Sequence, residues 1–136
     1  MTVTQEDYFK AYAGHPEITD TIRINAAGLL TAVNALLEEC IANGWIPRVN
    51  PATGTLISGQ QNGGFRPQAC PVGAPTSSHK TGEGVDIADV GDRLDSMIDD
   101  EMLERHGLYR ESPEDTQNWV HLSTRAPRSG RRTFKP

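Results

Sequence analysis

His79 and Asp86 stand seven residues apart in Ser77 to Asp89, SSHKTGEGVDIAD, with Gly82 and Gly84 between them; His121 follows in NWVHLS. Imidazole nitrogen and carboxylate oxygen are zinc-ligand types, and a catalytic zinc site keeps three protein ligands and one open position. Two ligands from one loop and strand, joined by a third from a neighbouring strand, would meet that need. The spacing also fits a polar turn entering a strand with no metal at all, and His121 beside Trp119 fits a satisfied core histidine. The other two histidines are poor ligands: His15 precedes Pro16 in a turn, and His106 falls in the last turn of a helix, where the helix dipole favours a cation. Cys40 and Cys70 are the only cysteines and form no ligand-spaced pair.

The elements that must position these residues are legible from periodicity. Tyr8, Phe9 and Tyr12 lie at helical spacing in Gln5 to Ala13, closed by Gly14 and Pro16. Ile22, Ala26, Leu29, Leu30, Val33, Leu36, Leu37, Cys40 and Ile41 step by three and four, which predicts a long core helix stopped at Asn43-Gly44. Cys40 lies on that stripe, so a packing role is expected. Val49 to Ser58 reads as a hairpin and Gly59 to Pro75 as a Gly/Pro/Gln-rich loop. In GVDIAD, Val85 and Ile87 alternate with Asp86, which predicts a strand presenting one carboxylate away from the core. A second helix is expected from Asp92 to His106, with Leu94, Met97, Ile98, Met102 and Leu103 inward. In NWVHLS, Trp119 and His121 share one face. The order of elements predicts an α+β fold, a small antiparallel sheet packed against helices.

The chain has 136 residues, 36 % hydrophobic and 23 % charged, a composition that folds as one domain and does not match disorder. The reading divides it into residues 1–124, with N-terminal helices over 5–43 and a site-bearing core over 56–122, and a basic tail over 125–136. The net charge is −5, but the tail holds Arg125, Arg128, Arg131, Arg132 and Lys135 and no acid. That leaves eight basic against eighteen acidic residues, or −10, for residues 1–124. Such an acidic body argues against a nucleic-acid partner, and the tail reads as a solvated terminus or a contact for an anionic partner. The N-terminus lacks the apolar region of a signal peptide and no apolar run reaches membrane-span length, so synthesis in the cytoplasm without a membrane span is expected.

Three blocks in order, SGQQNGGFRPQ, SSHKTGEGVDIAD and NWVHLS, resemble the metal-site blocks of the zinc D-Ala-D-Ala carboxypeptidase and L-alanyl-D-glutamate endopeptidase family (peptidase family M15), whose fold is shared with the hedgehog signalling domain. The resemblance spans Ile57 to Leu122, and the tail STRAPRSGRRTFKP is similar to small phage-encoded members. It implies Zn2+ held by His79, Asp86 and His121, with Arg66 near the scissile carbonyl, Ser77 on the substrate and Trp119 walling the site. It further implies a peptidoglycan stem peptide as substrate, and delivery to the cell wall at lysis or within a virion.

One position departs from the family. Active members carry an acid three residues before the last histidine as general base; here it is Asn118, which cannot accept a proton. Glu83, Glu114 and Asp115 are the nearby acids that could substitute. Gly84 also replaces the family's usual alanine. Two readings stand: a peptidase cleaving stem peptides, with Asn118 orienting the water, or a catalytically weakened zinc-binding structural or peptide-binding module, such as a virion component with a protein partner.

Overall fold

A computed structural model describes residues 2–136. Helix α1 (Gln5–Phe9) begins at a reciprocal cap in which the Thr4 hydroxyl accepts from the Asp7 N–H and the Asp7 carboxylate accepts from the Thr4 N–H. A single 3₁₀ turn, Lys10–Tyr12, continues it. Thr19 caps α2 (Asp20–Ala42), and Gly44, at φ 103°, turns the chain off its far end. The predicted stripe is the buried one: Ala26, Leu29, Leu30, Val33, Leu36, Leu37 and Cys40 all face the core. By length and composition α2 is also apolar enough to cross a membrane; here its stripe packs on the sheet and on α4.

The sheet has the order β1-β3-β2-β4, formed by β1 (Gly84–Ala88), β2 (Tyr109–Glu111), β3 (Trp119–Ser123) and β4 (Thr133–Phe134). β1 and β2 pair with β3 antiparallel, whereas β4 lies parallel to β2, so the sheet is mixed. Val85, Ile87, Val120 and Leu122 are fully buried on the helix side. With the α2 stripe, Leu94, Leu103 and Leu108 they form one core, in which a Leu→Ala truncation costs about 2–5 kcal/mol. The fold is α+β, as predicted, with helices covering one sheet face.

Three elements differ from expectation. The second helix is two, α3 (Arg93–Met97) and α4 (Asp100–His106), because Ile98 is extended and the Asp99 carboxylate caps α4 by accepting from Met102 N–H at 2.8 Å. The 49–58 hairpin reduces to one bridge, Asn50 to Thr55, with Ile57 bridging Ile87 of β1. The basic tail is drawn onto the sheet: β4 belongs to it, and Arg110 and Ser112 donate their N–H groups to the carbonyls of Arg132 and Phe134.

Candidate metal centre

The site is a row across the open face of the sheet. Asp86 of β1 sits opposite His121 of β3, and the β2–β3 register, Tyr109 to Ser123 and Arg110 to Leu122, carries Glu111 alongside His121. Glu111 in turn pairs with Phe134 of β4. Alternation along each strand puts these side chains on the face away from the core, so a strand pattern that buries Val120 and Leu122 also exposes His121 to the cleft.

His79 enters from a 3₁₀ turn, Ser78–Thr81, that Ser77 begins and Gly82 ends at φ 79°. A Cβ on Gly82 would lie 2.7 Å from the Ile22 carbonyl oxygen, so both the turn and the close pass by α2 require glycine. The Gly63-Gly64 pair lets the next loop run equally close: Gly64 backs onto the Tyr8 carbonyl, where an added Cβ would stand 2.2 Å away. From there the Gly63 carbonyl accepts the Asp86 N–H at 2.8 Å, and the Gly64 carbonyl faces His79 Nδ1 at 2.8 Å. Tyr8 of α1 secures the other side by donating its hydroxyl to the Gly84 carbonyl at 2.9 Å; burial, first of all, holds that phenol far above its ordinary range.

His79 Nε2 and His121 Nδ1 lie 3.1 and 2.9 Å from the same oxygen, Asp86 Oδ1. A carbonyl can only accept, so Gly64 fixes the proton on His79 Nδ1 and leaves the Nε2 lone pair aimed at the carboxylate. A lone pair facing a carboxylate oxygen needs a cation or a second proton between them. The three ligand atoms lie within 4.8 Å of one another, and the outer ring nitrogens are held by Gly64 and, at 3.4 Å, by the Ser78 hydroxyl. Burial disfavours the Asp86 carboxylate, but His79 and His121 outweigh it and hold the group well below the usual carboxylate range. His79, Asp86 and His121 therefore form a cluster whose donor set fits a metal ion.

Arg66 is 8 % exposed and three of its N–H groups are committed. Nε donates to the Asn62 carbonyl at 2.7 Å, Nη1 to Val72 at 3.3 Å and Nη2 to Asp86 Oδ2 at 3.3 Å. It thereby orients the carboxylate so that Oδ1 meets both imidazoles, the kind of support that ligating carboxylates receive from outside the metal shell. Gly84 belongs to the same packing, since a Cβ there would stand 2.2 Å from Ser78 Oγ and 3.0 Å from His121 Cε1.

The cluster opens into a cavity of about 430 Å³ walled by Ser77, Trp119, Glu111, Phe134 and Arg125. A second hollow of about 520 Å³ shares Arg66, Val72, Asp86 and Trp119 with it, so the cluster lies where two recesses meet. Ser77 and Trp119 thus stand where the sequence put them, beside the three ligand candidates.

Asn118 does not face the cavity. It is exposed at φ 68°, its side-chain oxygen accepts the Gly91 N–H at 3.0 Å and its N–H donates to Asp92. Its type is explained by this loop, because asparagine tolerates the left-handed region better than most residues. The three acids considered as substitutes also point elsewhere: Glu83 accepts from Thr81 Oγ1 at 2.6 Å, Glu114 pairs with Lys135 and Asp115 is exposed. Glu111, absent from the sequence reading, is the carboxylate that lines the cavity. Burial pushes its carboxyl up, with His121 and His79 pulling it down and Asp86 raising it. Leu-Tyr-Arg-Glu after the Gly107 helix stop has the length of a short strand, but the register that puts Glu111 beside His121 is set by the sheet.

Asp89, Asp92 and Asp95 also gather their oxygens, but these are already engaged. Asp89 accepts the Leu94 and Asp95 N–H groups, and Asp95 accepts from Arg110 and Thr116. His15 and His106 lie away from the metal cluster; His106 Nε2 meets Glu39 at 2.8 Å. Cys40 packs on Met102, and burial pushes its thiol up to about 11.

Comparisons with protein-family models, with curated proteins and with solved structures find no match to this chain.

Proposed function

We propose that the protein is a zinc-dependent peptidase of the D-Ala-D-Ala and L-alanyl-D-glutamate type, acting on peptidoglycan stem peptides. The observation that carries this reading is the row Asp86, His121, Glu111 beside His79: three metal-ligand groups and one free carboxylate on the wall of a cleft. The stem-peptide substrate, and delivery at lysis or within a virion, rest on the resemblance of the three blocks and the tail to that family.

Two imidazoles and one carboxylate suit zinc, which when bound would supply Lewis acidity and a water of lowered pKa. Glu111 takes the proton from the attacking water and returns it to the leaving amine, a role its place on the cavity wall beside His121 allows. Arg66 keeps Asp86 oriented, and its remaining N–H groups lie on the cavity wall. Trp119 and Phe134 exclude water from either side of the cluster, and Ser77 offers its hydroxyl to the peptide. The alternative, a catalytically weakened zinc-binding structural or peptide-binding module, drew its support from Asn118, whose side chain holds a loop instead.

The test is hydrolysis of purified muropeptides by zinc-loaded protein, followed by mass spectrometry, with His121→Ala as the blank. New fragments are expected from the wild type. Glu111→Gln is expected to lower the rate by about 10²- to 10⁴-fold with zinc content unchanged. Intact muropeptides with stoichiometric zinc would remove the peptidase reading and leave a binding role.

A further inference from the structure

We propose that Arg125 forms a carboxylate-binding subsite in this cleft, so that the protein selects peptides carrying an anionic group on one defined side of the metal cluster. This rests on the proposed peptidase reading for the choice of peptide, not for the subsite itself. Arg125 follows β3 directly and is fixed to its end, donating its N–H to Ser123 Oγ at 2.9 Å while its carbonyl accepts from the same hydroxyl at 3.2 Å. It lines the cavity of about 430 Å³ together with His79, Asp86 and His121 and does not line the second hollow.

The two arginines of that cavity differ in what they have left to offer. Arg66 is buried and held by three partners, one of them the Asp86 carboxylate. Arg125 is half-buried and, among the described residues, makes one side-chain hydrogen bond, from Nη2 to the Thr76 carbonyl, and no ion pair. That contact anchors the fork without neutralising it, and a guanidinium with free, coplanar N–H groups suits a carboxylate bidentately. Among the described residues, Glu111 and Asp86 are the acidic side chains on this wall. A divalent ion on the two histidines and Asp86 would add to the charges of Arg66 and Arg125 and make the cleft net positive in a chain of net charge −5, which would favour an anionic ligand at this opening over the surrounding surface.

A terminal carboxylate and an internal glutamyl carboxylate share this chemistry, and paired probes separate them. One pair is acetyl-D-Ala-D-Ala and its C-terminal amide. The other is acetyl-L-Ala-γ-D-Glu-L-Lys-amide with the glutamyl α-carboxylate free or amidated. Each is titrated calorimetrically into zinc-loaded Glu111→Gln protein, so that turnover does not obscure binding, with and without Arg125→Gln. The expected result is that one acid binds about 10- to 100-fold more tightly than its amide, the range of a charge-assisted hydrogen bond. That gap closes in Arg125→Gln and partly returns in Arg125→Lys, and the discriminating pair names the carboxylate. Equal affinity of acid and amide in both pairs, or a gap that survives Arg125→Gln, would overturn the subsite. So would loss of the gap in the Lys and Gln variants alike with a common drop in Tm, since that assigns Arg125 to holding Thr76. Muropeptide hydrolysis with no acid preference would leave the peptidase reading standing, and acid preference without hydrolysis would leave the subsite standing.

Discussion

Asn118 and Glu111 show how a residue's place decides its chemistry. Asn118 stands three residues before a metal-ligand candidate, yet φ 68° turns its side chain into the loop formed by Gly91 and Asp92. Asn118→Asp is therefore expected to leave muropeptide hydrolysis within about two-fold of wild type, because the new carboxylate would sit among Asp89 and Asp92 outside the cleft. Asn118→Ala is expected to cost on the order of 1–2 kcal/mol in urea unfolding, from the lost Gly91 bond and a left-handed residue with a bare Cβ. A strong gain of activity in the Asp variant would return the base to this position. Glu111 was unreadable as a site residue from spacing alone, since it lies ten positions before His121 and only strand pairing makes them neighbours.

Elements in this fold are tied by buried polar groups as much as by apolar faces. Arg110 of β2 reaches across to α3, donating to the Asp95 carboxylate at 3.0 Å and to its carbonyl at 2.9 Å. Burial raises the Asp95 carboxyl to about 6 from 3.8; Arg110 opposes this and Asp89 adds to it. A carboxyl raised in the folded state binds more protons there than in the unfolded chain. Its contribution to stability is therefore complete below about pH 4 and is lost as pH rises through about 6. The loss is on the order of 1–3 kcal/mol. Urea titrations between pH 4 and 7 should show that component, and Asp95→Asn should flatten it whatever its effect on absolute stability. An unchanged slope in the variant would mean that Arg110 keeps Asp95 ionised throughout. The break between α3 and α4 belongs to the same scale: the apolar spacing of Leu94, Ile98 and Met102 runs through both, and the Asp99 cap decides where one ends.

For the molecule as a whole, three separate segments bring His79, Asp86 and His121 together, with their ligand atoms within 4.8 Å of one another. Zinc binding should stabilise the fold accordingly. At about a thousand times its Kd it contributes about 4 kcal/mol, which for a domain of this size raises Tm by on the order of 10 °C. Calorimetry with zinc and with chelator should show that shift in the wild type and not in His79→Ala. Equal melting of the wild type in both conditions would mean that the cluster is a hydrogen-bonded polar turn. The tail matters at this scale as well, since Arg125, Ala126, Pro127 and, through β4, Phe134 stand on the cleft wall.

Local pattern alone determined the long core helix, the strands around Asp86 and His121 and the α+β class, because periodicity acts through near neighbours in the chain; it offered His79, Asp86 and His121 as ligand types without joining them. Tertiary structure decided what depends on register and on loop closure. It turned Asn118 away, brought Glu111 beside His121, bound Arg66 to Asp86 and added the basic tail to the sheet as a parallel edge strand. Strand pairing joins residues by position across the sheet, and no spacing along the chain encodes that position.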